Sequence, residues 1–191
     1  CGNQASMVCV SVSYNLGSGY IDQRDYEKAI SAFESAITRF HSAEASSGRN
    51  LDKRLLASAH QYLAYSYVKM ADSLTSDQSA QYKKADQELD HAISVLKEIE
   101  KVDETSPINL IRARIHVGLG QYDSALKILK EVKVTGPNEA TMNLLFAVSY
   151  KCKGDVANSA EYMNRFRPPD PSETQEGFEY FNKLTGICRG E

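Results

Sequence analysis

Gly120-Gln-Tyr-Asp-Ser-Ala-Leu-Lys-Ile-Leu129 decides the fold, because three other segments repeat its design. Tyr122, Ala125 and Leu129 set an aromatic, a small and a large apolar residue three and then four positions apart. Tyr26, Ala29 and Phe33 do the same, as do Tyr82, Ala85 and Leu89, and Val156, Ser159 and Met163. Residues at those intervals share one face of a helix, so each segment reads as an amphipathic helix whose small residue admits a close neighbour. The segments start 56, 40 and 34 residues apart. A period of that size marks hairpins of helices that bury their apolar faces only by stacking.

The bulk composition narrows the function classes. With 191 residues the chain suffices for one compact domain or one stack of repeats. Lys and Arg number 22 against 25 Asp and Glu, a net charge of -3, so no basic field marks it for nucleic acid. No apolar run approaches the roughly 20 residues that span a bilayer, and the uncharged opening from Ala5 to Leu16 is interrupted by Ser and Asn.

Upstream of the Tyr26 segment stand Leu16-Gly17 and Tyr20, and downstream of Phe33 stands Ala36. The third unit supplies Ala113, Gly120, Tyr122, Ala125, Leu129 and Pro137; the fourth supplies Ala147, Tyr150, Gly154, Ser159, Met163, Phe166 and Pro171. Together these resemble the tetratricopeptide repeat pattern. The family's Trp is missing throughout, Arg112 stands where Leu is usual, and the second unit is stretched between Tyr67 and Tyr82. The resemblance implies an all-α, tetratricopeptide-like helical-hairpin solenoid, a right-handed α-α superhelix of about four repeats plus a C-terminal capping helix.

The expected organisation is a tether at 1–5 and a single domain at 6–188, with repeats near 10–43, 51–102, 106–139 and 140–171 and a capping helix at 172–188. Helices are expected over 6–20, 25–41, 51–74, 77–102, 107–118, 122–134, 138–153, 156–167 and 172–184. Ala43 to Asn50 reads as a loop and Asp103 to Ser106 as a linker. Ser106 reads as an N-cap before Pro107, Gly136-Pro137 as a helix stop, and Gly154-Asp155 as a turn between helices.

No catalytic constellation is found. His41, His60, His91 and His116 occur singly, and no metalloprotease, nucleophile-elbow or phosphate-loop motif is present. The expectation is a protein that is not an enzyme and carries no cofactor and no metal. His60 and His91 fall on adjacent helices, yet two ligands without a third make a weak metal site. The acidic run Glu98, Glu100, Asp103 and Glu104 and the lysines at 83, 84, 127, 130 and 133 read as solvated faces. Gly17-Ser-Gly19 lies inside a helical pattern and reads as a close helix approach.

Family groove positions carried onto this chain are Tyr14, Ser18, Gln61, Tyr65, Lys69, Leu110, Arg114, Leu144, Val148 and Lys151. The resemblance implies that these line a concave groove for a peptide or a partner's helix, with Tyr and Leu as anchors and Lys69, Arg114 and Lys151 as cations. The alternative is an ordinary curved surface, or a groove filled by the closing helix. Tyr14 and Ser18 stand where chaperone-binding carboxylate clamps carry Lys and Asn.

Cys1-Gly-Asn-Gln4 resembles the mature end of a bacterial lipoprotein, in which the first Cys carries the lipid. It implies lipidation at Cys1, membrane attachment only through that lipid, and an outer-membrane, periplasmic adaptor similar to the pilotins of pilus secretins or to outer-membrane assembly factors. The rival is a soluble cytoplasmic scaffold without an anchor. Lipidation would leave Cys9, Cys152 and Cys188, an odd number with at least one unpaired thiol. Cys9 and Cys152 read as small buried hydrophobes, and a Cys152–Cys188 disulfide is open to an oxidising compartment. Self-association through the N-terminal unit, which lacks a polar cap, is also left open.

Overall fold

The computed structural model describes residues 6–47, 51–74, 78–100, 105–168 and 171–188. The expected tether at 1–5, and with it Cys1, lies outside them. Among the described residues every regular element is an α-helix: α1 Met7–Asp22, α2 Tyr26–Ser47, α3 Arg54–Ser73, α4 Gln78–Glu98, α5 Thr105–Gly118, α6 Tyr122–Glu131, α7 Pro137–Cys152, α8 Val156–Arg165 and α9 Pro171–Ile187. The fold is the expected all-α helical repeat. The chain divides into two compact units, Cys1–Ile108 and Asn109–Glu191, where the sequence reads as one domain.

In the first unit α2 packs against both α1 and α3, and α3 pairs with α4. Ser6 caps α1 by accepting from the Cys9 N–H. Gly17 lies against Phe33 so closely that a Cβ would fall 2.7 Å from the ring, and the ring itself is fully buried. The interhelix distance therefore depends on glycine at that position. Beyond it, α2 runs on to Ser47 through the stretch expected as a loop. Phe40 and Ala43 are buried and carry the apolar stripe another turn. The Ser42 and Ser46 hydroxyls donate to the Thr38 and Ser42 carbonyls, which keeps them inside the helix.

The stretched second repeat is absorbed by long helices. Ala57, Ala64 and Ala71 on α3 and Ala85 and Ala92 on α4 recur every seventh residue and are all buried, a spacing that keeps the two axes close along the whole hairpin. Tyr82 and Leu89 fill the gaps. The Tyr82 hydroxyl donates to Asp72 at 2.7 Å near one end, and Lys53 donates to Glu98 at 2.8 Å near the other.

In the second unit α5, α6 and α7 share a core of Leu110, Ala113, Val117, Ala125, Leu126, Leu129, Leu145 and Val148. Helix α5 starts at Thr105, so Ser106 lies inside the first turn and is not the N-cap. Pro107 keeps its first-turn place. Helix α6 stops at Glu131, short of Val134, and α7 follows Gly136, whose φ of 65° suits glycine, with Pro137 opening the helix. Helix α9 extends about one turn past Leu184.

Three helices end alike. Arg24, Gly120 and Gly154 have φ of 59°, 72° and 81°. The next residues, Asp25, Gln121 and Asp155, donate back to the carbonyls of Tyr20, His116 and Tyr150 at 2.9, 2.8 and 2.9 Å. This is a left-handed C-terminal cap repeated at equivalent places in the hairpins. Glycine supplies it twice, whereas Arg24 adopts it at a cost of roughly 1 kcal/mol. Asp155 then caps α8 by accepting from the Asn158 N–H at 3.1 Å.

The cysteines correct the sequence reading. Cys152 at the end of α7 is joined to Cys188 just beyond α9, with 5.3 Å between Cα atoms, well within bridging reach. Cys9 is buried but also disulfide-bonded. No described cysteine is a free thiol, so neither Cys9 nor Cys152 is merely a small hydrophobe, and the unpaired thiol that lipidation of Cys1 would leave is not found among the described residues.

Candidate functional site

The ten groove positions separate into two sets. In the first unit Tyr14 and Ser18 lie one turn apart on α1, and Gln61, Tyr65 and Lys69 lie one turn apart on α3; all five are half-buried. Helices α1 and α3 touch, so the first helices of two hairpins present these side chains side by side. The Lys69 ammonium sits 5.6 Å from the centre of the Tyr65 ring, a cation–π pairing that orders both.

Tyr62, missed in the sequence reading, links the two helices. Its ring lies 5.9 Å from Tyr14, edge to face, and 5.9 Å from Phe33, nearly parallel, while Tyr14 meets Phe33 at 5.7 Å. Phe33 is the buried floor of this triad, and Tyr62 remains 38% exposed. The family positions select Gln61 and Tyr65; the Tyr62-x-x-Tyr65 spacing was the available signal, since residues three apart share a helix face.

Burial of the Tyr14 phenol, then the neighbouring Tyr62, push its ionisation up, against a hydrogen bond from Ser58. Burial does the same to Tyr67, whose hydroxyl donates to Glu34 at 3.0 Å beside that carboxylate's charge. Both phenols therefore hold their protons more tightly folded than unfolded. The sign follows: stability is unaffected below the ordinary tyrosine range near pH 10 and falls as pH rises through it. Alkaline titration of phenolate absorbance should show late-ionising groups among the 11 tyrosines, one of them lost in Tyr67→Phe.

The second set lies differently. Leu110 and Arg114 are on α5 and Leu144, Val148 and Lys151 on α7. Leu110, Leu144 and Val148 are only 4%, 7% and 0% exposed. Helix α9 packs on α7 and covers this face. Leu184 joins the core that contains Leu110 and Val148, while Tyr180 and Phe181 pack there and against Leu144 and Phe166. Arg114 places its guanidinium 4.4 Å over the Tyr180 ring. Lys151 is half-buried.

The histidines have structural partners. His60 Nδ1 lies 2.6 Å from Glu88, and the His60 and His91 rings are 5.3 Å apart. His116 Nδ1 lies 2.6 Å from the Gln121 side chain and braces the α5–α6 turn. Among the described residues no group of three His, Cys, Asp or Glu could hold a metal ion. On the outer side of α1, Val8, Val12 and Leu16 are 70%, 44% and 52% exposed at successive turns. No described helix is long and apolar enough to cross a membrane.

No curated protein and no solved structure matches the chain. The model of the tetratricopeptide repeat protein 21 ARM repeat family matches residues 8–165, which takes in α2 to α8 and nearly all of α1. By that match, and by hairpins built on its small and aromatic positions, the chain belongs to the tetratricopeptide repeat protein 21 ARM repeat family.

Proposed function

We propose that the chain is a non-enzymatic protein-interaction module that takes a partner segment on the α1/α3 face of its first unit. The observation that carries this reading is the Tyr14–Phe33–Tyr62 triad, which packs the exposed Tyr62 ring on the same helix as the Tyr65–Lys69 pair. Rigid aromatics next to a cation are the usual energetic centre of an interface, because they bury much area at little entropic cost. The occupant that fits is a peptide or helix with an apolar anchor and a carboxylate. A Tyr62→Ala, Tyr65→Ala, Lys69→Ala variant should lose captured partner about 30-fold or more while keeping its helical circular dichroism. Retention of the same partners at the same strength would overturn the assignment.

The finer reading is an adaptor of the cell envelope; a lipid on Cys1 needs that sulfur outside any disulfide, whereas Cys152 and Cys188 are paired and Cys9 is disulfide-bonded, which leaves Cys1 as the one other cysteine of the sequence. The Cys152–Cys188 disulfide supports an oxidising compartment. Intact mass of the protein taken from its own membrane fraction tests the anchor: an unmodified Cys1 rules it out.

Self-association is a second reading, favoured by the Val8, Val12 and Leu16 stripe. Helix α1 has no charged residue from Met7 to Ile21, so a second copy can meet it without like-charge repulsion. Val12→Glu should convert the oligomer to monomer in light scattering; a wild-type chain that is monomeric at all concentrations excludes it.

A further inference from the structure

Helix α9 is buried less deeply than α4 of the first unit. On α4, Tyr82, Ala85, Leu89 and Ala92 are all 0–1% exposed. Among the described side chains of α9 the deepest apolar one is Leu184 at 7%, Tyr180 and Phe181 are half-buried, and Phe178 is 46% exposed. Yet its seat is specific. Gly177 meets the edge of Phe166 where any Cβ would overlap the ring, Tyr180 lies under Arg114, and Leu184 enters the core with Leu110 and Val148. Just past the helix, Cys188 is bonded to Cys152 and lies 3.2 Å from the Tyr122 hydroxyl.

We propose that the face of α5 and α7 is a helix-receiving surface and that α9 is its exchangeable occupant, retained by the Cys152–Cys188 disulfide. The competing partner is an amphipathic helix of the same register: a small residue, an aromatic three positions on, a large apolar residue beside it and leucine three further. This is helix-in-groove recognition, read through anchors on adjacent turns. The small residue admits the Phe166 edge, the aromatic lies under Arg114, and the leucine fills the space between α5 and α7. The shallow packing of α9 gives the intramolecular contact little advantage beyond its tether, and the disulfide makes that tether covalent at both ends. Release needs a dithiol reductant. Its two thiols give up two electrons and two protons and close to a disulfide, while the Cys152–Cys188 bond breaks to two thiols. This surface is separate from the α1/α3 face, and either assignment stands or falls without the other.

The test uses the full chain in three forms: oxidised, treated with a dithiol reductant, and as the Cys152→Ser, Cys188→Ser variant. The probe is a fluorescent peptide of residues 171–188 carrying Cys188→Ser. In the second and third forms, amide exchange in α9 should speed up at least ten-fold more than in α7. The probe should also bind those forms at least ten-fold more tightly than the oxidised chain. Leu184→Ala in the oxidised full chain, which leaves the sulfurs alone, should loosen α9 in the same sense. If α9 and α7 exchange change by the same factor, or the probe fails to distinguish the oxidised from the reduced chain, α9 is a permanent part of the core and the proposal is wrong.

Discussion

Phe33→Ala should destabilise the protein by about 3–5 kcal/mol, the range for truncating a large buried aromatic. The ring is completely buried and serves three neighbours. It fills the notch left by Gly17, stacks on Tyr62 and receives the edge of Tyr14. Relaxation cannot easily close the cavity, since helix backbone bounds one side. Urea unfolding followed by tyrosine fluorescence checks it, and a loss below about 1 kcal/mol would show that the triad is not a structural unit. Gly17→Ala attacks the same contact from the other side by overpacking, at about 1–3 kcal/mol. A shorter ring-less side chain at 33 should make room for that methyl group. In a Gly17→Ala, Phe33→Leu cycle the two losses should therefore be less than additive, with coupling of about 1 kcal/mol or more.

The same contact shows why part of the fold was legible beforehand. Tyr26, Ala29 and Phe33 sit at intervals set by helix geometry alone, and Leu16-Gly17 announces a close approach, so the first hairpin could be read from spacing. The extent of α2 could not. Ser42, Ser46 and Ser47 resemble loop composition, and only the burial of Phe40 and Ala43 against neighbours outweighs it; tertiary burial overrides local propensity. Arg24 illustrates the same limit, because a left-handed cap is announced by glycine at 120 and 154 and by nothing at 24.

The surface was legible by position but not by occupancy. Family spacing places Tyr14, Tyr65 and Lys69 on first helices, and it places Leu144 and Val148 there too. What differs is the covering helix: α9 adds Tyr180, Phe181 and Leu184 over the second set, whereas Tyr62 stays exposed beside the first. Spacing within one helix carries no information about which distant helix returns to lie on it. Hence the α1/α3 face is the stronger candidate for a partner, and the α5/α7 face the one whose use depends on moving α9.

Removal of the Cys152–Cys188 bond should have the second large effect. The cysteines are 36 residues apart in sequence, and closing a loop of that size in the unfolded chain corresponds to about 4 kcal/mol in the chain-entropy account. Reduction of the wild type and the Cys152→Ser, Cys188→Ser variant should each lower unfolding free energy by about 3–4 kcal/mol, measured by urea titration with and without a dithiol. The slope of free energy against urea distinguishes the mechanism. If the bond acts by constraining the unfolded ensemble, its loss lets the unfolded chain expose more surface and the slope steepens. If it acts only by holding α9 in the folded state, the midpoint shifts at constant slope. A steeper slope with an unchanged α7 signal would locate the constraint in the segment from α8 to α9, since that is the part of the chain the bond encloses. An oxidised chain no more stable than the reduced one would mean that strain in the closed ring cancels the entropy it removes.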